Sequence, residues 1–170
     1  YEPTDALVMR HILGFIESHF SLPELSFVDF GCGRGRALLM ASELPFREVI
    51  GVELDPAHCV VARQNVEAYR VKPARPWSRR NGAARAPVRV CCDDVTKFAF
   101  PATDLLVYMF NPFRGSVFRT VLDRLASFQR EQQRKVHVVL SNPTMEDMLL
   151  AHPAFERSYE FQVIASGSSW

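Results

Sequence analysis

Residues 28–40 read VDFGCGRGRALLM, the pattern of a buried strand that breaks into three alternate glycines and then restarts as a helix. Gly31, Gly33 and Gly35 have no Cβ, so the backbone can adopt left-handed angles there and come within contact distance of a ligand. The first turn of the following helix adds unpaired N–H groups and a partial positive charge. The stretch therefore predicts a site for a ligand phosphate or carboxylate, and a turn without a ligand is the alternative.

The spacing of these glycines separates two classes of ligand. Dinucleotide-binding folds use G-x-G-x-x-G or G-x-G-x-x-A, and here Arg36 stands where the sixth, small residue is needed. A nicotinamide dinucleotide is therefore disfavoured. The segment resembles motif I of the class I S-adenosylmethionine-dependent methyltransferases, which is an acidic residue followed by G-x-G-x-G. The resemblance implies that S-adenosylmethionine is bound through Asp29, Gly31, Gly33 and Gly35.

Length, charge and cysteine usage exclude several classes of protein. The 170 residues fit a single domain, 1–170, which buries well over half of its unfolded surface and needs no disulfide or metal to fold. A formal net charge of +1 gives no overall field for nucleic acid or a membrane. The four cysteines lack ligand-like spacing, so we expect no metal site. Free thiols, and no apolar run near the roughly 18–20 residues of a membrane span, predict a cytoplasmic protein.

Predicted strands and helices alternate along the chain. Strands are expected at 25–30, 48–52, 104–110, 136–140 and 155–165, and a further strand is expected to end at 92. The first helix is expected to begin at a cap formed by Thr4 or Asp5 and to end near 21, and further helices are expected at 35–43, 56–69, 115–130 and 144–150. This order predicts an α/β fold with a Rossmann-like, doubly wound, mostly parallel sheet and helices on both faces. Ligands of such sheets bind beyond the carboxyl ends of the strands, near the point where the strand order reverses.

The two ends of the predicted fold carry further expectations. The first helix has an apolar stripe at helical spacing: Leu7, Val8, His11, Ile12, Phe15 and Ile16. The methyltransferase resemblance implies a seventh, antiparallel strand after the sixth. Residues 166–170 resemble only its turn and first step, so we expect either an incomplete sheet edge or a longer natural chain.

Acidic residues follow two of the predicted strands. Glu53 lies about as far from the glycines as the carboxylate that binds a ribose diol in nucleotide folds, although it could instead help Asp55 to cap the next helix. Asp94, in the sequence DVTKF, resembles the methyltransferase residue that accepts a hydrogen bond from the adenine amino group. Asp93 competes for this role, and either aspartate could simply form a turn at the end of the strand.

The fourth strand ends in the sequence FNPF, which contains Asn111 and Phe113. This resembles the (D/N)-P-P-(Y/F) motif IV of N-methyltransferases, with one proline missing. The resemblance implies that Asn111 lies at the methyl-transfer site and holds the target nitrogen, while Phe113 packs on the substrate or the sulfonium. An ordinary Asn-Pro turn is the alternative.

The amino-terminal residues also resemble a methyltransferase segment. The sequence YEPT is similar to a stretch that small bacterial enzymes of this kind carry before the first helix, where it can fold over the methionine end of the cofactor. Tyr1 and Thr4 could supply hydroxyl groups there, and a frayed terminus is the alternative.

A basic segment, residues 70–89, is the main shift in composition. From 68 to 92 there are seven Lys or Arg and no acid, which predicts a mobile loop insertion. The loop and Trp77 could recruit nucleic acid or an acidic protein, but we favour a solvated insertion without such a partner.

These residues together resemble a methyltransferase over most of the chain and imply S-adenosylmethionine as the cofactor. We expect in-line methyl transfer, on nitrogen, to a small molecule or an exposed protein side chain, with Asn111 and Phe113 as the catalytic residues. A neutral amine needs no strong base, and all five histidines are interpreted as structural. The alternative is a module with the same fold that binds the cofactor and methylates nothing.

Overall fold

The computed structural model describes residues 4–71, 85–111, 113–142 and 144–160. The strands are β1 Leu25–Phe30, β2 Glu48–Glu53, β3 Val88–Cys92, β4 Asp104–Phe110 and β5 Val136–Ser141; the helices are α1 Ala6–His19, α2 Arg36–Ala41, α3 Pro56–Arg70, α4 Gly115–Gln132 and α5 Glu146–Leu150, with a 3₁₀ turn at Leu22–Glu24. All four pairings are parallel, in the order β3-β2-β1-β4-β5. The order reverses between β1 and β4, which places a predicted ligand site beside Phe30 and Phe110.

The central strands are buried on both faces because helices cover each side of the sheet. Every residue of β1 is buried, and neighbours along it face opposite layers. Phe27 packs in the layer that contains α1 and α2, whereas Val28 packs in the layer that contains α4. Within the described part of the chain, no helix is both long and apolar enough to span a membrane.

The predicted starts of α1, α3 and α4 are confirmed, α2 and α5 begin one and two residues later than predicted, and the buried face of α1 differs from the predicted one. Asp5 rather than Thr4 caps α1, and its carboxylate accepts from the Leu7 and Val8 amides at 2.8 and 3.2 Å. The buried face comprises Met9, Ile12, Leu13 and Ile16, while Leu7 and His11 are exposed and Phe15 is half-buried. Both stripes satisfy helical periodicity, so only packing against the rest of the fold decides which one is buried.

The prediction of a sixth strand at 155–165 is wrong for the residues that the structure describes. Residues 155–160 form no strand. Arg157 pairs with Glu146 and Glu160, both at 2.6 Å, and the Tyr159 ring lies 5.1 Å from the Phe15 ring. These contacts hold the segment against α5 and α1. Residues 161–165, and the predicted turn and strand at 166–170, lie outside the described residues.

The basic segment is shorter than predicted at both ends. Arg70 ends α3 and Arg89 lies within β3, while residues 72–84 lie outside the described part. The Arg85 guanidinium pairs with the buried Glu43 carboxylate at 2.9 Å, and Arg89 pairs with Glu48 at 3.2 Å. Arg70 also pairs with Glu67 at 3.5 Å, so at least three of the seven cations already pair with carboxylates of this chain.

Candidate functional site

A cleft of about 550 Å³ opens at the carboxyl ends of the central strands, where the strand order reverses. Eight of the predicted site residues line it: Thr4, Asp29, Gly31, Gly33, Glu53, Asp94, Asn111 and Phe113. Gly35 does not line the cleft, and Tyr1 lies outside the described residues. Four separate strand ends therefore converge on one cavity, as expected for a ligand site of a doubly wound sheet.

The three glycines all adopt the left-handed conformation that their spacing predicts. Their φ angles are +79° at Gly31, +53° at Gly33 and +83° at Gly35. The Gly31 amide donates to the Val52 carbonyl at 2.9 Å, which ties the turn to β2. Gly35 caps α2, and a Cβ there would come within 3.4 Å of Ala62 Cβ. The first two glycines form the cleft wall, whereas Gly35 packs α2 against α3.

Glu53 joins the glycine turn to the start of α3. Its Oε2 accepts from the Gly33 amide at 2.8 Å, and its Oε1 accepts from the Asp55 amide at 2.9 Å. Asp55 itself caps α3 through the Ala57 amide at 2.8 Å. The two interpretations of Glu53 are therefore compatible, because a carboxylate that orders both backbone segments also lines the cleft with unused lone pairs.

Gly51 is a close-packing position that the sequence pattern did not single out. It lies in β2, and a Cβ there would come within 2.5 Å of Leu38 Cδ1 and 2.6 Å of Cys32 Sγ. Both neighbours are buried, so neither can move away easily. Gly51 thus allows the glycine turn and α2 to lie directly against the sheet.

Asp29 is a buried carboxyl group at the cleft. The residue is 4 % exposed, and it lines the cleft. Burial and, to a smaller extent, the neighbouring Glu53 carboxylate together raise the pKa of Asp29 from its ordinary value near 3.8 to about 8. The carboxyl group is therefore mostly protonated at pH 7. A ligand cation placed against it would favour the charged form and release that proton.

The structure places Asp94, and not Asp93, along the cleft. Asp94 Oδ1 accepts from the Thr96 amide at 2.8 Å and the Thr96 hydroxyl at 2.7 Å, and these bonds lower the pKa of Asp94. Asp93 Oδ1 accepts from the Asp94 amide at 2.8 Å. Both aspartates thus form the turn that was the alternative interpretation, and Asp94 combines this with a position on the cleft wall.

Asn111 and Phe113 lie together in the cleft. Asn111 is exposed and has a φ of +46°, which is uncommon for a residue other than glycine. Its Oδ1 accepts a hydrogen bond from the Thr144 hydroxyl at 2.5 Å. Phe113 is half-buried, and its ring lies 6.1 Å from the ring of Phe118 in α4. This contact packs Phe113 against α4.

Several contacts between cleft residues could not be predicted from the sequence. The Thr4 hydroxyl forms a 2.8 Å hydrogen bond with the Tyr108 hydroxyl, and burial raises the pKa of Tyr108 to about 12. Arg36 Nη1 donates to the Thr4 carbonyl at 3.3 Å. His58, interpreted as structural, also lines the cleft. These residues are far apart in the sequence and close together in the fold, and helical or strand periodicity does not predict such contacts.

The described residues do not gather a metal site. Over those residues, no group of three His, Cys, Asp or Glu side chains lies in an arrangement that could hold a metal ion. The cleft instead offers carboxylates, backbone amides, hydroxyls and a guanidinium. This set of donors suits an organic ligand that carries amines, hydroxyls and a carboxylate.

Comparison with curated proteins gives short matches to one kind of enzyme. The chain is 32% identical over 65 residues to ribosomal protein L11 methyltransferase from Haemophilus influenzae (strain PittEE), a match that covers 38% of this chain and 20% of that protein. The corresponding enzyme from Mannheimia succiniciproducens is 34% identical over the same length. The match spans about a fifth of these curated relatives. No protein-family model matches the chain.

Comparison with solved structures confirms the predicted fold. The precorrin-6y C5,15-methyltransferase of Geobacter metallireducens GS-15 superposes with a TM-score of 0.58 at 16% identity, covering 85% of this chain and 66% of that one. Magnesium protoporphyrin IX methyltransferase from Synechocystis PCC 6803, with S-adenosylhomocysteine bound, gives 0.54 at 14% identity, covering 71% and 50%. The chain has the Rossmann-like fold of class I methyltransferases.

Proposed function

We propose that this chain is the catalytic domain of an S-adenosylmethionine-dependent methyltransferase that methylates nitrogen. The observation that carries the proposal is the convergence, in one cleft, of the glycine turn with Glu53, Asp94 and Asn111 at four strand ends. The names of the curated relatives and of the similar structures support the same activity. Because the match covers a small part of those relatives, the activity is inferred from the cleft of this chain.

The groups in the cleft fit S-adenosylmethionine along its length. Asp29, a buried carboxyl group on the cleft wall, suits the methionine ammonium group, and Arg36 suits the methionine carboxylate. Glu53 has lone pairs left for the two ribose hydroxyls, and Asp94 for the adenine amino group. Thr4 acts indirectly, because its hydroxyl is hydrogen-bonded to the Tyr108 hydroxyl and its carbonyl accepts a hydrogen bond from Arg36.

The protein's part in methyl transfer is alignment. When bound, S-adenosylmethionine supplies an electrophilic methyl group whose bond to sulfur breaks, with both electrons left on sulfur, as the acceptor nitrogen attacks. Asn111 accepts a hydrogen bond from an N–H of the acceptor and so aims the nitrogen lone pair, while Phe113 packs beside it and excludes water. The nitrogen then loses a proton to solvent. A neutral amine needs no general base, and none of these steps requires one.

For the methyl acceptor, we propose a neutral amine nitrogen on a protein side chain, with an amino-bearing small molecule as the second candidate. The curated relatives are named for a ribosomal protein, which favours the side chain. A nucleic acid is less favoured. Arg85 and Arg89 of the basic segment already pair with Glu43 and Glu48, which reduces the positive charge offered to a polyanion.

The test combines binding with turnover. Calorimetric titration with S-adenosylhomocysteine should show micromolar affinity for both wild type and Asn111→Ala, because Asn111 is assigned to the acceptor. Incubation with S-adenosylmethionine labelled on its methyl group, and with ribosomal proteins or cell extract, should label an acceptor at nitrogen, as identified by mass spectrometry. Asn111→Ala should abolish this labelling.

Each alternative result has a distinct meaning. Binding by the wild type without any labelling would favour the module that binds the cofactor and methylates nothing. Unchanged labelling by Asn111→Ala would refute the motif IV assignment. Absence of any binding to S-adenosylhomocysteine would overturn the proposed function.

A further inference from the structure

Two neighbouring strands of the sheet end in the same way. β4 and β5 pair in register with Phe110 opposite Ser141, and each strand is followed by an asparagine and then a proline. The two asparagines have φ angles of +46° at Asn111 and +54° at Asn142. Left-handed angles are uncommon for residues other than glycine, and a residue before proline is normally restricted to extended conformations. The two strained turns lie side by side, and one of them lies in the cleft. Strain that is retained beside a site indicates that the residues in these turns have a function.

One residue connects the two turns. The Thr144 hydroxyl donates to Asn111 Oδ1 at 2.5 Å, and the Thr144 backbone amide donates to the Asn142 carbonyl at 2.8 Å. Thr144 is therefore anchored to the turn after β5 by its backbone and to the turn after β4 by its side chain. In this contact the hydroxyl donates to Oδ1, so the Asn111 amide oxygen faces Thr144 and the hydrogen bond holds the plane of the amide.

We propose that Thr144 is a positioning residue that orients Asn111 for an acceptor bearing an N–H group. This inference rests on the proposed function, since it concerns the same cleft. The Asn111 oxygen has two lone pairs, of which Thr144 uses one and leaves the second for the acceptor. Thr144 does not line the cleft, so it acts through Asn111. The acceptor site is thus built from the turns after both β4 and β5.

The test uses two substitutions of one exposed residue. Thr144→Val keeps the shape of the side chain and removes the hydroxyl, whereas Thr144→Ser keeps the hydroxyl. With the acceptor found by methyl labelling, Thr144→Val should lower kcat roughly 10- to 100-fold, because small misplacements of an aligning group have effects of this size. The KM for S-adenosylmethionine and the Kd for S-adenosylhomocysteine should change less than about twofold. Thr144→Ser should restore most of the kcat.

A spectroscopic measurement tests the contact without an acceptor. The chain has four asparagines, so labelling with [15N]asparagine gives four side-chain NH₂ pairs, and the Asn111→Ala variant assigns one of them. In Thr144→Val the Asn111 pair should shift, broaden and exchange its protons faster. In Thr144→Ser it should stay close to its wild-type position.

The results that would overturn the inference differ from those that would overturn the proposed function. Wild-type kcat in Thr144→Val, a parallel loss of kcat and of affinity for S-adenosylhomocysteine, or no rescue by serine would each refute the positioning role. A wild type that binds no S-adenosylhomocysteine or labels no acceptor would instead refute the proposed catalysis, and the positioning role with it. Unchanged NH₂ signals would show that the hydroxyl does not fix the amide.

Discussion

The cleft contains two kinds of left-handed turn. In the glycine turn, residues 31–35, the positive φ angles fall on glycines. In the two asparagine turns, Asn111 and Asn142 adopt similar angles with a side chain present. Because glycine has no side chain, a ligand can approach its backbone closely. Asparagine in the same conformation is somewhat strained, but it places a side-chain amide at the turn. The glycine turn suits a ligand held by the backbone, and the turn at Asn111 suits a ligand held by a side chain.

The two kinds of turn also differ in what fixes them. The glycine turn is held by β2, through the Val52 carbonyl and the Glu53 carboxylate, and it lies close against Gly51. The described residues of the asparagine turns are exposed, and a side-chain hydrogen bond from Thr144 to Asn111 connects the two turns. In the proposed function this division is useful, because the cofactor is constant and its site can be rigid. The methyl acceptor must enter and leave, so its site is expected to be less rigid than the cofactor site.

The largest effect is expected from breaking the link between the glycine turn and β2. Glu53→Ala removes the partners of the Gly33 and Asp55 amides and the proposed ribose ligand. Hydrogen bonds to charged groups are worth about 1.5–3 kcal/mol each, so the Kd for S-adenosylhomocysteine should rise by at least about 100-fold. Isothermal titration calorimetry measures this directly.

Asp55→Ala is the matched control for that substitution. It removes the cap of α3 but leaves the Glu53 carboxylate in place. The free energy of unfolding should fall by about 1 kcal/mol, as is usual for a lost N-cap. The Kd for S-adenosylhomocysteine should stay within about threefold of wild type, a range of about 0.7 kcal/mol. If both variants lost binding equally, the general order of this loop would matter, and the carboxylate of Glu53 would not be a specific ligand.

A smaller and pH-dependent effect is expected at Asp29, beneath the glycine turn. Its pKa in the folded protein is about 8 and its ordinary value is 3.8, so between these values the folded state holds a proton that the unfolded state has lost. The stability contributed by this group is fully present below about pH 4 and is lost as the pH rises toward 8. Asp29→Asn cannot ionise. The free energy of unfolding of Asp29→Asn minus that of wild type should therefore become more positive from pH 5 to pH 8. Urea unfolding at each pH measures this difference.

The same variant should bind the cofactor less well. A neutral amide cannot pair with the methionine ammonium group as a carboxylate does, and we expect roughly tenfold weaker binding of S-adenosylhomocysteine. In wild type, binding should release a proton, which calorimetry detects as an apparent enthalpy that depends on the ionisation enthalpy of the buffer. Asp29→Asn should show no buffer dependence from this group. A wild type whose binding enthalpy is independent of the buffer would contradict the proposed pairing.

The same contrast explains how much of the fold the sequence could predict. The strand at 104–110 and the start of the helix at Pro56 were predicted correctly because apolar runs and caps act locally. The buried face of α1 was predicted wrongly because two stripes shared Ile12 and Ile16. Residues 155–160 look like a strand, but ion pairs of Arg157 and the packing of Tyr159 hold them elsewhere. Such contacts between distant residues leave no periodic signal.

In the cleft, the glycine turn was the easier part to predict. Glycine is the residue that adopts left-handed backbone at the least cost, so three glycines spaced by two after a strand make the conformation of residues 31–35 predictable from their spacing. The distance in sequence from the glycines then indicated Glu53, and the resemblance indicated Asp94; the structure places both in the same cleft. Thr144 was not predicted, since a threonine after an Asn-Pro pair looks like any turn residue. Its contact with Asn111 depends on the register of β4 and β5.

The smallest effect is expected from changing one asparagine turn toward the glycine type. Asn142 has a φ of +54°, where glycine is unstrained and alanine is not. Asn142→Ala should lower the free energy of unfolding by about 1 kcal/mol, whereas Asn142→Gly should change it by less than about 0.5 kcal/mol, because the relieved strain offsets the greater freedom of glycine in the unfolded chain. Urea unfolding separates the two. Equal stability of the variants would mean that the backbone at 142 relaxes readily, and the turn after β5 would then be too soft to hold Thr144 against Asn111.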